Sequence, residues 1–200
     1  MTNFLPIFPL DNIIYPDETI HLTITEERYH QLINDCMAEE KPFGAPVVIE
    51  GKALEFGTQV AVISIRRNGD GSIDMVGKGL KVFRILEFVK DLPEKKYSGA
   101  IVHYPENDTM KVHPNLSRLI VSEVKRLYTL LNIETMLPEE DQVFSSYEIA
   151  HKLGLTREQE YELLGIFNEV QRMEYLRRYF NSIMPDIDNI DRIKSNFNLN

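Results

Sequence analysis

One cysteine, Cys36, and no tryptophan occur in 200 residues. A single thiol cannot form an intramolecular disulfide, which excludes a disulfide-stapled scaffold and suits a reducing, cytoplasmic compartment. Basic residues are also scarce. The chain has 22 Lys and Arg against 31 Asp and Glu, for a net charge of −9, and neither the first 110 residues nor the remainder carries a basic excess. Because phosphate neutralisation supplies much of nucleic-acid affinity, RNA or DNA is not the partner this balance favours. Long hydrophobic runs are missing too: no stretch reaches the ~18 consecutive apolar residues of a transmembrane helix. Pro6, Pro9 and Asp11 interrupt the N-terminus where the apolar region of a signal peptide would stand. Neither a membrane partner nor export is expected.

Catalytic constellations are equally thin. Of the five histidines, His21, His30, His103, His113 and His151, none sits at metal-ligand spacing with another His or Cys. Cys36 and His30 lie six residues apart, on different faces of a helix, and Cys36 falls on an apolar stripe, the place of a small buried hydrophobe. Glu26-Glu27, Glu39-Glu40 and Glu139-Glu140-Asp141 read as solvated faces and helix first turns. The stretch "GDGSIDMVGKGLK" has neither the spacing nor the following helix of a Walker A loop. The expectation is a binding module, not an enzyme, with no catalytic residue, no metal and no cofactor.

What is present is β patterning first and helical patterning second. The opening "FLPIFPLDNIIYPDETIHLTITEERY" threads Pro6, Pro9 and Pro16 through strand-like residues. Each ring removes a ladder donor, so short kinked strands wrapping a β core are expected there. "TIHLTI" alternates with the period of a half-buried strand, and Tyr29, Leu32, Ile33, Cys36 and Met37 mark one stripe of a helix ending before Pro42. "APVVIEG" and "GTQVAVISIRR" read as strands, "RRNGDGS" as a hairpin turn, and the next strand as bent at Gly77 and Gly79, with "YSGAIVHYP" last. Closure of such short strands into a barrel would remove their exposed edges. Helical spacing then runs from Pro114 to Ile133, and Ser145-x-x-Glu148, Thr156-x-x-Gln159 and Asn168-x-x-Gln171 resemble capping boxes, with Gly154 as a helix stop. The expected class is α+β: a β-barrel subdomain with one early helix over residues 1–110, then a helical bundle over 111–200 with a polar tail.

Leu5, Pro6, Pro9, Leu10, Pro16, Leu22, Ile24, Glu26, Arg28 and Tyr29 fall on the opening pattern of the Lon protease N-terminal, substrate-binding domain family. Phe43-Gly44, Gly57-Thr58, Gly71, Gly79, Phe83, Arg84 and Tyr97 match its later elements, and Leu163, Leu164, Asn168, Arg172 and Met173 its helical segment. The chain therefore resembles that family over residues ~4 to ~180, the order of the pieces being more specific than any one of them. It departs at His21, Thr25 and Val82, where the family has proline, an aromatic and arginine. The resemblance implies a PUA-like pseudo-barrel followed by a helical bundle. It also implies binding of a protein or an unfolded polypeptide, as an adaptor or regulator in protein quality control, by a stand-alone member without the ATPase and serine–lysine peptidase domains. The peptide-binding candidates are Arg28, Tyr29, Phe43 and Tyr104, with Phe43 and Tyr104 expected to stay exposed and Arg28 and Tyr29 equally readable as strut and core. The alternative is PUA-like RNA binding through Arg66, Arg67, Lys78, Lys81 and Arg84.

Overall fold

In the computed structural model, which describes residues 3–108, 114–131 and 144–183, the opening prolines stand where no ladder asks for their missing N–H. Strand β1 (Asn3–Pro6) pairs antiparallel with β6 (Gly99–His103). The N–H of Ile7 donates to Ser98 O at 2.9 Å, so the alternation of the ladder turns the Pro6 nitrogen away from β6. Beyond β1 the chain meets β3 (Phe43–Ile49) in parallel, at bridges Ile7–Gly44 and Leu10–Val47. Phe8 N and Leu10 N donate to Gly44 O (2.8 Å) and Pro46 O (3.1 Å), and Pro9 lies between them on the side without a partner. Pro16 takes the second position of a turn, with Glu18 N donating to Tyr15 O and Asp17 at φ 67°, the backbone of a type II turn.

Contacts divide the chain into two units, Met1–Glu106 and Asn107–Asn200. In the first, β2 (Thr19–Ile24), β4 (Lys52–Arg67) and β5 (Ile73–Val89) complete an antiparallel sheet in the order β1-β6-β5-β4-β3. β5 is shared: Ile73–Lys78 pairs with β2 and Arg84–Val89 with β6, while β4 runs along the other edge. Because the continuation of β1 reaches β3, the two ends of the strand order are joined. Register shifts in β4 at Thr58/Val60 and Val62/Ser64 and in β5 at Ile85/Glu87 bend the long strands. Gly79 permits a close crossing, since a Cβ there would sit 2.2 Å from Tyr15 O. β4 begins at Lys52, five residues before the expected strand, after a two-residue turn whose Glu50 and Gly51 both have positive φ (51° and 73°). Glu-Gly lacks the strong hairpin signal of Asn-Gly, which hid this turn in the sequence.

The early helix α1 (Glu27–Glu39) buries Tyr29, Leu32, Ile33 and Cys36 in a core with Phe8, Ile14, Phe43, Val60 and Met75. Met37, expected on the same stripe, is exposed, so the buried face is narrower than the spacing suggested. The second unit contains α2 (Pro114–Leu131), α3 (Ser146–Ile149) with a following 3₁₀ turn, α4 (Arg157–Leu164) and α5 (Glu169–Ile183). Ser145, Thr156 and Asn168 accept from the N–H groups of Glu148, Gln159 and Gln171, so each expected start is capped. Thr156 and Gln159 form a reciprocal capping box, and Gly154 adopts φ 67° between two helical stretches. Residues 132 and 133 of the expected long helix, the Glu139-Glu140-Asp141 run and the tail beyond 183 lie outside the described residues.

Candidate functional site

The densest polar cluster is internal to the second unit and leaves nothing for a ligand. Arg172 of α5 is fully buried and engages all three guanidinium nitrogens. Its Nε donates to Ser146 Oγ (2.9 Å) and Glu169 Oε2 (2.8 Å), and its Nη1 to Asn107 Oδ1 (2.8 Å) and Ile166 O (2.6 Å). Its Nη2 reaches the carbonyl of Asp108 and pairs with Glu169 at 2.7 Å. The guanidinium also lies 4.2 Å from the Tyr147 ring centre. Glu169 takes the Ser146 N–H and hydroxyl as well, at 2.6 and 2.8 Å. Every charge is paired and every donor used, which makes this a structural knot.

The other sequence candidates for chemistry recede too. Cys36 is buried, and burial, reinforced by Asp35 and Glu39, pushes its thiol up to about 12. It is therefore neither accessible nor a thiolate. Among the described residues no three His, Cys, Asp or Glu side chains are grouped so as to hold a metal ion, and no helix is long and apolar enough to cross a membrane.

A groove of about 880 Å³ on the first unit is of a different kind. The whole of β1, Asn3–Pro6, lines it, with Pro42 after α1, Leu92 and Pro93 from the β5–β6 loop, and Tyr97 and Tyr104. Over these four residues β1 is paired with β6 alone among the described strands. Phe4 is 49% exposed. Tyr104 is half-buried, and its hydroxyl accepts from Gln59 Nε2 at 2.8 Å while its own proton has no acceptor among the described residues. Burial raises the Tyr104 phenol above its usual range, so it remains a neutral donor. Asp35 braces one wall by accepting from Tyr97 Oη and Lys95 Nζ, both at 2.8 Å. Partial burial alone would raise the Asp35 carboxyl, but these two hydrogen bonds outweigh it and the pKa falls below its ordinary value.

Of the four peptide-binding candidates, the groove contains Tyr104 only. Phe43 is wholly buried, its ring 5.9 Å from that of Phe8, because it opens β3 and points into the core. Tyr29 is buried and stacked on Phe8 at 4.0 Å, and Arg28 lies over Tyr29 at 4.6 Å while pairing with Glu26 at 2.7 Å. These two form core and strut. Sequence reasoning missed Phe4, Leu92 and Pro93, which reach one place from distant segments. A Leu-Pro pair inside the polar loop "KDLPEKK" was the one local signal.

The family model described as the ATP-dependent protease La (LON) substrate-binding domain matches residues 4–182. A Lon protease of Anaeromyxobacter dehalogenans is 23% identical over 92% of this chain and 28% of its own length. A Lon protease of Dictyoglomus thermophilum is 21% identical over 96% of this chain and 26% of its own length, so the chain spans little more than a quarter of either relative. Among solved structures, a Lon N-terminal domain protein from Xanthomonas campestris superposes with a TM-score of 0.69 at 23% identity, covering 88% of this chain and 98% of that one. The N-terminal domain of Mycobacterium avium complex Lon protease gives 0.62 at 14% identity, covering 90% and 98%. With its α+β fold, antiparallel sheet and matched residues, the chain belongs to the Lon substrate-binding domain family.

Proposed function

We propose that this chain is a non-catalytic recognition module that binds an extended polypeptide segment in the groove beside β1. The observation that carries the reading is a groove with apolar walls beside β1, which over Asn3–Pro6 is paired on one side only among the described strands. Its open edge lacks an N–H at Pro6 but keeps the Phe4 N–H and the carbonyls of Phe4 and Pro6 for a partner strand, while Phe4, Leu92, Pro93 and Tyr104 receive side chains. Membership of a substrate-binding family supports the same class of ligand. In finer terms, the joined sheet is read as a PUA-like pseudo-barrel and helices α2 to α5 as a bundle. The chain is read as a cytoplasmic adaptor or regulator in protein quality control.

RNA binding draws less support. Arg66 faces Asp74 at 2.7 Å, Lys78 faces Asp17 at 3.3 Å and Arg84 faces Glu55 at 3.1 Å, while Arg67 donates to Asn34. Carboxylates beside three of the five basic residues cancel the field a phosphate backbone needs.

The test is fluorescence anisotropy of a labelled, permanently unfolded polypeptide titrated with the chain and with Tyr104→Ala. Saturable binding, weakened about tenfold by loss of a central aromatic contact, is expected. Absence of binding, or equal binding by the variant, removes the groove from this role.

A further inference from the structure

Among the described residues, the groove keeps one unpaired positive charge in an acidic protein. Lys41, Lys81 and Lys95 line it against one acid, Glu39, although the whole chain carries −9. Two of the lysines are neutralised locally: Lys41 pairs with Glu39 and Lys95 with Asp35, each at 2.8 Å. Lys81, exposed on β5, makes no ion pair or hydrogen bond among the described residues. Its position is set by the sheet. Gln59 occupies the irregular step of β4 between Thr58, opposite Val82, and Val60, opposite Gly79, so Lys81 lies across the strand pair from it. Gln59 in turn holds Tyr104, whose hydroxyl proton has no acceptor among the described residues. An ammonium without an ion pair and a phenol with an unused proton, among the described residues, thus line one groove beside apolar surface.

Resting on the polypeptide-binding reading, we propose that the groove selects extended apolar segments that carry a carboxylate, seated on Lys81 and able to accept from Tyr104. The carboxylate is that of an Asp or Glu side chain within the bound segment. Its contribution is selectivity and encounter rate more than bulk affinity, because a half-exposed charge pair is screened by salt.

The experiment uses fluorescein-labelled decapeptides of alternating Leu, Phe and Ser with one central guest residue. Three carry Glu, Gln or Lys and end in an amide, and a fourth carries Gln and ends in a free carboxylate. In anisotropy titrations at low salt the Glu peptide is expected to bind about fivefold tighter than the Gln peptide, and the Lys peptide weakest. Lys81→Gln should level the series and Lys81→Glu should invert it, with circular dichroism unchanged because Lys81 is on the surface. A gain confined to the free-terminus peptide and lost in Lys81→Gln would overturn the side chain as source and leave the polypeptide reading standing. Equal binding of all four peptides, or a preference that survives Lys81→Glu, overturns carboxylate selection and leaves the polypeptide reading standing. If none binds, both fall.

Discussion

Arg172 and Cys36 are both buried, and their isolation predicts opposite experimental behaviour. Removing the guanidinium by Arg172→Ala leaves the Glu169 carboxylate inside with half its partners gone. Denaturant unfolding of the variant should show a loss of about 3–5 kcal/mol. Arg177→Ala, which breaks an exposed pair with Glu174, should leave the unfolding midpoint nearly in place. Cys36 should resist iodoacetamide at pH 8 in the native chain and react fully once urea exposes it; labelling at equal rates in both states would contradict its placement. At this scale the sequence was half legible. Burial of Cys36 followed from its stripe, because helical spacing is a local property. Burial of Phe43 did not, because a phenylalanine between Pro42 and Gly44 looks like a loop residue until Phe8 arrives from thirty-five positions away to cover it.

Elements were read well where the signal lies within a few residues and poorly where it does not. The three capped starts of α3, α4 and α5 were visible because a cap needs only residues i and i+3. The groove was invisible because β1, the end of α1 and the β5–β6 loop meet only in three dimensions. Two predictions belong here. Gly79→Ala drives a methyl into the carbonyl of Tyr15, which cannot rotate away as a side chain would, so it should destabilise the first unit by about 1–3 kcal/mol in a urea titration. Asp35 ties α1 to the loop before β6 and has a folded pKa below its ordinary value. A depressed carboxyl contributes stability above the unfolded value of about 4 and loses that contribution as pH falls through the folded value. Asp35→Asn should therefore flatten the acid limb of the stability curve below pH 4 while lowering stability at pH 7, as read by thermal melts across pH.

For the molecule as a whole, the family match and the solved relatives agree on an α+β chain whose first unit is organised by an antiparallel sheet. Alternation and turn residues made that class legible and closure was expected of so many short strands, but that Ile7 and Leu10 meet β3 to join the ends was hidden, since parallel bridges leave no spacing in the sequence. Deleting residues 1–10 removes both the β1–β6 pairing and the β3 bridges, and should abolish cooperative unfolding of the first unit; a retained sharp transition would show the sheet to be self-sufficient without them. The same arrangement has a consequence in time. During synthesis β1 leaves the ribosome before the other described strands yet is among the last to be seated, because β6 follows it by about ninety residues. At roughly 5–20 residues per second, Phe4 and Leu5 wait some 5–20 seconds for β6, an apolar nascent segment within reach of any chaperone at the exit tunnel.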